Sequence, residues 1–252
     1  MKANVDSGHI ASARGTPEPQ RTHRLFCFPY AGGNSSMFRD WPQYFPDNVE
    51  VHPVELPGRQ SRFNEAPVKR LSRLAPILAK DLERWLGPPF SLFGHSMGAL
   101  VAFELARELR RKHQLLPARL IVSGYSAPHL PRVSCLLHAL TDNLFLKQVA
   151  LLLPPEVGSN QELMRLMLPT LRADFALCET YQYYPEPPLE CAISAYAGNA
   201  DLGVGFYGLS QWQLQTSRAF NCRLFPGDHS YLMASPQQLL KALKEDLKPF
   251  TQ

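Results

Sequence analysis

Ser96 lies between two glycines in the stretch Gly94-His95-Ser96-Met97-Gly98, directly after the apolar run Phe90–Phe93 and before a helical pattern. A serine on so sharp a strand-to-helix turn has strained backbone angles, and glycines two residues away remove the Cβ atoms that would collide. The turn also presents the amide of Met97 at a helix N-terminus, where a negative oxygen is stabilised. The pattern predicts a nucleophilic serine; a glycine-rich turn with a capping serine is the alternative.

A nucleophilic serine needs a histidine as its base. In a strand-turn-helix architecture of this kind the base follows the serine late in the chain. His229, in "CRLFPGDHSYL", comes after an apolar run and a Pro-Gly turn, and it is the only histidine after His138. His95 adjoins Ser96, but neighbouring residues on such a turn point in different directions. We therefore predict that His229 is the base and that His95 packs in the interior.

The base in turn needs an acid that orients its ring. Asp201 comes just after a strand-like run, in "AISAYAGNADLGV". Asp174 lies inside a helical pattern, and Asp228 is adjacent to His229, too close in sequence to reach its ring easily. We predict that Asp201 is the acid and that Asp228 is mainly a turn residue.

A second amide is needed beside that of Met97 to hold a developing oxyanion, and it should come from the loop after an early strand. The loop "FPYAGGNSSMF", residues 28–38, suits this role because Ala31, Gly32 and Gly33 allow the backbone to approach a substrate oxygen closely. A plain Gly-Gly turn fits the same residues.

Short apolar runs that end in turn or functional residues supply the strands of the predicted fold. They cover residues 24–30, 49–56, 90–96, 119–126, 191–198 and 222–227, with helical patterns between several of them. Alternating strands and helices predict an α/β protein with a mostly parallel central sheet flanked by helices. Residues of about 127–188 contain no convincing strand, and we interpret them as a helical insertion, either a cover for one edge or a lid over the site.

Composition limits the classes of function. The net charge of +4 is too small for the dense basic pattern of a nucleic-acid-binding protein. No apolar stretch approaches the roughly 18 residues of a membrane span. The five scattered cysteines suit a reducing compartment, and residues 1–21 lack an apolar leader core. We expect a cytoplasmic protein with a disordered tail at 1–21 and a single domain at 22–252.

Longer motifs resemble a known family. "LFCFPYAGG", "VELPGRQSRF", "FSLFGHSMGALVAFELAR", "AYAGNAD" and "FPGDHSYL" are similar to the corresponding elements of type II thioesterases of nonribosomal peptide and polyketide synthesis, which have the α/β-hydrolase fold. The resemblance covers nearly the whole chain from about Arg24. "PYAGG" and "LPGR" are more specific than the serine pentapeptide alone.

The resemblance implies roles for individual residues. Ser96 is then the nucleophile, His229 the base and Asp201 the acid, and the amides of Ala31 and Met97 form the oxyanion hole. It leaves Arg59 of "LPGR" without a role. Many relatives have Gly-Gly-His-Phe where this chain has "GDHSYL", which changes the wall beside the histidine.

The implied reaction is hydrolysis of acyl thioesters on the phosphopantetheine arm of acyl or peptidyl carrier proteins, which removes wrong acyl groups from stalled synthetases. The resemblance implies no metal or diffusible cofactor, a mobile lid, and a monomer that acts on neither nucleic acid nor membrane. A medium-chain thioesterase that ends fatty acid synthesis would share every residue named above. A lipase or general esterase, an acyltransferase and a non-catalytic protein on the same fold are further alternatives.

Overall fold

The structure is a computed structural model, and it describes residues 23–250 except 88, 132–135, 154 and 235. The tail predicted at 1–21 lies outside the described residues. Six strands form the centre of the molecule: β1 (His23–Phe28), β2 (Val49–Pro53), β3 (Phe90–His95), β4 (Arg119–Ser123), β5 (Ala192–Gly198) and β6 (Phe220–Phe225). Each coincides with one of the predicted apolar runs, and several end earlier because functional loops begin there.

All six strands pair in parallel, in the order β2-β1-β3-β4-β5-β6. Strand β3 lies between β1 and β4, and every residue of β3 is buried, which explains why Phe90–Phe93 has no polar alternation. The predicted α/β class with a parallel sheet is therefore confirmed. Because parallel strands share their carboxyl edge, the loops after β1, β3, β5 and β6 meet at one end of the sheet.

Helices cover both faces of this sheet. On one face, α1 (Leu71–Leu82) and α2 (Met97–His113) bury their apolar sides in the larger core. On the other face, α8 (Pro236–Leu247) packs its leucines with Trp41 and Phe45 in a second core. Helix α1 owes its position to leucines three and four residues apart, which form a single apolar stripe (Leu71, Leu74, Leu78 and Leu82).

The region between β4 and β5 is the predicted helical insertion. It contains α3 (Asp142–Ala150), α4 (Pro155–Gly158) and α5 (Gln161–Glu179). These helices enclose a small core of their own, made of Phe145, Val149, Met164 and Leu171. A helical sequence pattern extends from about Asn160 to Tyr184, but α5 ends at Glu179, and the chain then runs without regular structure towards a proline-rich segment.

Two short helices follow the loops that hold the candidate acid and base: α6 (Phe206–Ser210) after β5 and α7 (Tyr231–Ala234) after β6. Among the described residues, no helix is both long and apolar enough to span a membrane.

Candidate active site

Ser96 sits on a tight turn between β3 and α2, with φ 54° and ψ −120°. Glycine is required at both flanking positions because a side chain there would collide with backbone atoms. A Cβ on Gly94 would lie 2.0 Å from the carbonyl oxygen of Gly98, and a Cβ on Gly98 would lie 2.2 Å from that of Phe28. The Ser96 amide donates to the Ser123 carbonyl at 2.7 Å, which ties the turn to the end of β4. The steric reason inferred from the sequence therefore applies here.

The loops after β5 and β6 are bound to each other by backbone hydrogen bonds. The Asn199 amide donates to the Phe225 carbonyl at 2.8 Å, and the Ala200 amide donates to the Gly227 carbonyl at 2.9 Å. Gly198 permits this close approach, since a Cβ there would lie 2.2 Å from the carbonyl oxygen of Asp228. The two loops thus carry the candidate acid and base to the same place.

The structure brings together the three side chains that the sequence singled out. His229 Nε2 lies 2.9 Å from Ser96 Oγ, and His229 Nδ1 lies 2.7 Å from Asp201 Oδ2. The Asp201 side chain is buried, whereas the His229 side chain is 45% exposed. The hydrogen-bonded chain therefore runs from a buried carboxylate, through a histidine open to solvent, to the serine hydroxyl.

The environment of Asp201 favours its ionised form. Burial alone would raise the pKa of this carboxyl group, but the hydrogen bond with His229, the charge of a protonated His229 and the Gly203 amide together lower the pKa below its usual value. The Gly203 amide donates to Asp201 Oδ1 at 2.9 Å while Oδ2 faces the imidazole. An ionised carboxylate here can hold a proton on Nδ1 and leave Nε2 as acceptor for the serine hydroxyl.

The two other candidate acids have different positions. Asp228 Oδ1 accepts a hydrogen bond from the Ser230 amide at 2.8 Å, which makes it a turn residue, as the sequence predicted. Asp174 lies on α5, where its carboxylate pairs with Arg59 Nη2 at 2.7 Å and accepts from the Gly32 amide at 2.8 Å. Neither Arg59 nor Asp174 had a role predicted from the sequence, and only the "LPGR" element shared with the family pointed to Arg59.

The buried His95 ring packs against the ring of His229. Its Nδ1 lies 2.7 Å from Ser123 Oγ, which in turn lies 2.5 Å from the Tyr231 hydroxyl, and its ring centre is 5.1 Å from that of His229. Complete burial, followed by the charge of His229, lowers the pKa of His95 to about 3. His95 is therefore neutral at physiological pH, and its ring packs in the interior, as expected.

Gly124, just after β4, makes room for both rings. Its φ of +61° is in the left-handed region, and a Cβ there would lie 2.7 Å from His95 Cε1 and 3.3 Å from His229 Cε1. No sequence motif marked this glycine, since its requirement comes from two histidines that are distant in the chain.

The loop that carries Ala31 leaves β1 beside the start of α2. A Cβ on Gly98 would lie 2.7 Å from the carbonyl oxygen of Pro29, so the backbone of this loop packs against the first turn of the helix that begins with Met97. The amides of Ala31 and Met97 thus belong to two adjoining segments at the carboxyl edge of neighbouring strands.

Within the described part of the chain, no group of three or more His, Cys, Asp or Glu side chains is arranged to hold a metal ion. A cavity of about 320 Å³ lies between α1, α2 and the end of α5. It is lined by alternating acidic and basic side chains, among them Glu104, Arg107 and Arg111, and by none of Ser96, Asp201 or His229. Several of its charged groups pair with one another, as in the Arg107–Glu104 contact of 2.7 Å.

The parallel sheet in this strand order, with a serine on the turn between β3 and the following helix, defines an α/β-hydrolase fold. The chain belongs to the thioesterase domain family, whose sequence model matches residues 23–247. It is 40% identical over 227 residues to the gramicidin S biosynthesis protein GrsT of Aneurinibacillus migulanus, covering 89% of each chain.

Solved structures agree with this assignment. The type II thioesterase BorB from the borrelidin biosynthetic cluster superposes with a TM-score of 0.87 at 32% identity, covering 97% of this chain and 100% of that one.

Among relatives by sequence, the medium-chain S-acyl fatty acid synthase thioesterase of Rattus norvegicus is 33% identical, covering 85% of this chain and 83% of that protein. The comparisons confirm the resemblance to type II thioesterases and favour it over the medium-chain and non-catalytic alternatives.

Proposed function

We propose that this chain is an editing hydrolase that cleaves acyl thioesters from the phosphopantetheine arm of acyl or peptidyl carrier proteins. Removal of aberrant acyl groups would return stalled nonribosomal peptide or polyketide synthetases to use. The observation that carries the proposal is the hydrogen-bonded chain from Ser96 through His229 to Asp201 in a member of the thioesterase family.

The first half of the reaction acylates the serine. Ser96 Oγ attacks the thioester carbonyl carbon while His229 Nε2 takes its proton, and the carbonyl oxygen becomes an oxyanion. The amides of Ala31 and Met97 hold that oxyanion. The tetrahedral intermediate expels the arm as its thiol, which takes the proton from His229, and an acyl-serine remains.

The second half releases the acid. His229 Nε2 takes a proton from water, whose oxygen attacks the acyl-serine carbonyl, and returns the proton to Ser96 Oγ as the carboxylic acid leaves. Asp201 fixes the tautomer and stabilises the charged imidazole in both halves. Side chains and backbone amides supply every proton transfer and charge interaction in this scheme, so we propose no metal or diffusible cofactor.

The segments that follow the acid and the base expose apolar side chains that are available to contact the acyl group. Leu202 directly follows the acid and is fully exposed, and Phe206, Tyr207 and Met233 nearby are each more than half exposed. Large apolar side chains that form a contiguous exposed patch are typical of binding surfaces. The net charge of +4 favours an acidic carrier protein. The insertion would act as the lid, and we propose a monomer that works in the cytoplasm, where its thiols stay reduced.

Single-turnover hydrolysis of acetyl and longer acyl groups tests the function. Each group is presented on a phosphopantetheinylated carrier protein and on a small thiol, with Ser96→Ala as the control. We expect faster release of carrier-bound acetyl, an inactive variant, and a KM for the carrier substrate that rises with salt. Cleavage of long free thioesters alone would instead favour the medium-chain alternative and would remove the carrier partner.

A further inference from the structure

The backbone that carries Ala31 forms a type II turn. The Gly33 amide donates to the Tyr30 carbonyl at 2.9 Å, and Gly32, the third residue of the turn, has φ +77°. A type II turn differs from the commoner type I by a flip of its central peptide, here the Ala31–Gly32 peptide. Glycine permits this conformation but does not enforce it. Something else must therefore select the orientation of that peptide.

Two buried charged side chains hold the turn at both ends. Asp174 Oδ2 accepts a hydrogen bond from the Gly32 amide at 2.8 Å, and Arg59 Nη1 donates to the Gly33 carbonyl at 2.8 Å. The two side chains also bind each other, Arg59 Nη2 to Asp174 Oδ1 at 2.7 Å. Both are buried, with exposed fractions of 8% for Arg59 and 3% for Asp174. The Gly32 amide, which belongs to the peptide that flips, is the group that the carboxylate holds.

The carboxylate comes from the insertion, 142 residues away from Gly32 in the chain. Other contacts join the same face of α5 to the same loops. Thr170, one helical turn before Asp174, donates through Oγ1 to the Gly58 carbonyl at 2.9 Å. Leu171 Cδ2 lies 2.5 Å from where a Cβ on Gly32 would be. Helix α5 is thus fastened directly to the turn that carries Ala31, the proposed oxyanion donor.

We propose that Asp174 is a positioning residue, which together with Arg59 fixes the conformation of the turn from Tyr30 to Gly33 and so holds in place the backbone segment that carries the Ala31 amide. The inference rests on the proposed function of Ala31 as an oxyanion donor. It makes α5 part of the catalytic framework.

The chemistry of the pair explains why conservative replacements should fail. A carboxylate offers one oxygen to the Gly32 amide and the other to Arg59, but the amide of asparagine has a single acceptor oxygen and turns an NH2 towards the second donor. Lysine in place of Arg59 keeps the charge but loses the planar fork that reaches Gly33 and Asp174 together. In either variant the central peptide is free to flip, which reverses its dipole next to the developing negative charge.

The test compares Asp174→Asn and Arg59→Lys with Asp81→Asn. Asp81 also pairs with a buried arginine, Arg62 Nη1, at 2.8 Å, so this control makes the same chemical change at an ion pair for which no contact with the turn is seen. Two rates are measured: phosphonylation of Ser96 by a fluorophosphonate, and hydrolysis of an acetyl thioester of a small thiol. Both are normalised to titrated active sites, so that unfolded protein does not contribute.

We expect both rates to fall roughly 10- to 100-fold in the two turn variants with KM unchanged, less than the 10²–10³ typical for outright loss of a donor. Asp81→Asn should stay within about twofold of the wild type, because the carboxylate of Asp81 pairs with Arg62 and not with the turn, and the rates are normalised to active sites. Rates of Asp174→Asn and Arg59→Lys that match Asp81→Asn would overturn the inference.

If either Asp174→Asn or Arg59→Lys does not fold, the rates of the other variant test the inference. The phosphonylation rate requires neither a carrier protein nor a thioester. Failure of the wild type to cleave carrier-bound substrates would therefore count against the proposed function and leave this comparison intact.

Discussion

Substitution of Gly198 by alanine should separate the loops that hold the acid and the base. Gly198 is the last residue of β5 and needs no unusual backbone angle, so only contact forbids a side chain there. The new methyl would lie 2.2 Å from the Asp228 carbonyl oxygen and 2.4 Å from that of Gly227, both immediately before His229 in the chain. Contacts under 3.0 Å are not tolerated, so one side must move.

The loop after β6 is the side that moves, since β5 is held between β4 and β6 in the sheet. Reaching ordinary contact requires a displacement of ~1 Å, and a misplacement of that size can cost about 10²-fold in rate. The His229–Ser96 distance of 2.9 Å would exceed hydrogen-bonding range after such a shift. A 10²-fold loss in kcat/KM corresponds to about 2.7 kcal/mol of transition-state stabilisation.

Gly205→Ala is the matched control, because Gly205 lies in the loop that follows β5 and a Cβ there would meet no atom of the described residues within 4 Å. The assay is kcat/KM on an acetyl thioester of a small thiol, with Tm measured in parallel. Overpacking should destabilise Gly198→Ala by ~1–3 kcal/mol. A folded Gly198→Ala protein with activity within twofold of Gly205→Ala would refute the steric reasoning.

Three further predictions concern the acid, the buried histidine and the insertion. Asp201→Asn should lower kcat by roughly 10⁴-fold because the wrong imidazole tautomer is stabilised, whereas Asp228→Asn should remain near wild type; equal losses in the two steady-state assays would contradict the assignment. Below pH 6.5 the histidine at position 95 takes up a proton in the unfolded chain, but in the folded protein buried His95, with a pKa of about 3, does not. The free energy of unfolding should therefore fall by about 2 kcal/mol between pH 6.5 and 5. His23, whose pKa burial lowers to about 4, adds a similar loss, so His95→Gln should remove about half of the slope in urea titrations at each pH, and an unchanged slope would contradict this. In hydrogen exchange, amides of 142–150 should exchange faster than those of 164–178, because α5 is fastened through Asp174 while Leu144 is 51% exposed; equal protection would count against a fixed α5.

The sheet could be predicted from sequence because its strands are buried on both faces. Runs such as Phe90–Phe93 have no polar alternation, and each ends where a polar loop begins, so the number of strands and their mostly parallel direction followed from the alternation with helices, whereas the strand order came from the structure. The end of α5 was less predictable. Its apolar pattern continues past Glu179 into aromatic residues that pack elsewhere, among them Tyr181, whose hydroxyl donates to Glu104 on α2.

The side chains of the site followed from position along the chain rather than from local pattern alone. Ser96 had a motif, and His229 had few competitors. The residues around Ser96 and His229 had no motif, and many positions in the sequence could have supplied them. Gly124 is needed because two histidines approach it, and the link from His95 through Ser123 to Tyr231 joins three separate elements. Contacts of this kind depend on how the loops fold over the sheet, which periodicity does not record.

Chain order alone does not distinguish Asp174 from Asp201 as the acid. Asp174 and Asp201 both lie between Ser96 and His229 in the sequence, so the order serine, acid, histidine admits either. Location at the end of a strand selects Asp201, because the loop after β5 adjoins the loop after β6 and the helix does not. The same reasoning set Asp174 aside as an ordinary helix residue. Yet a carboxylate buried to 3% exposure must be paired, and its partners are Arg59 and the turn beside Ala31. The rejected acid is therefore within the active-site framework, where it holds backbone instead of imidazole.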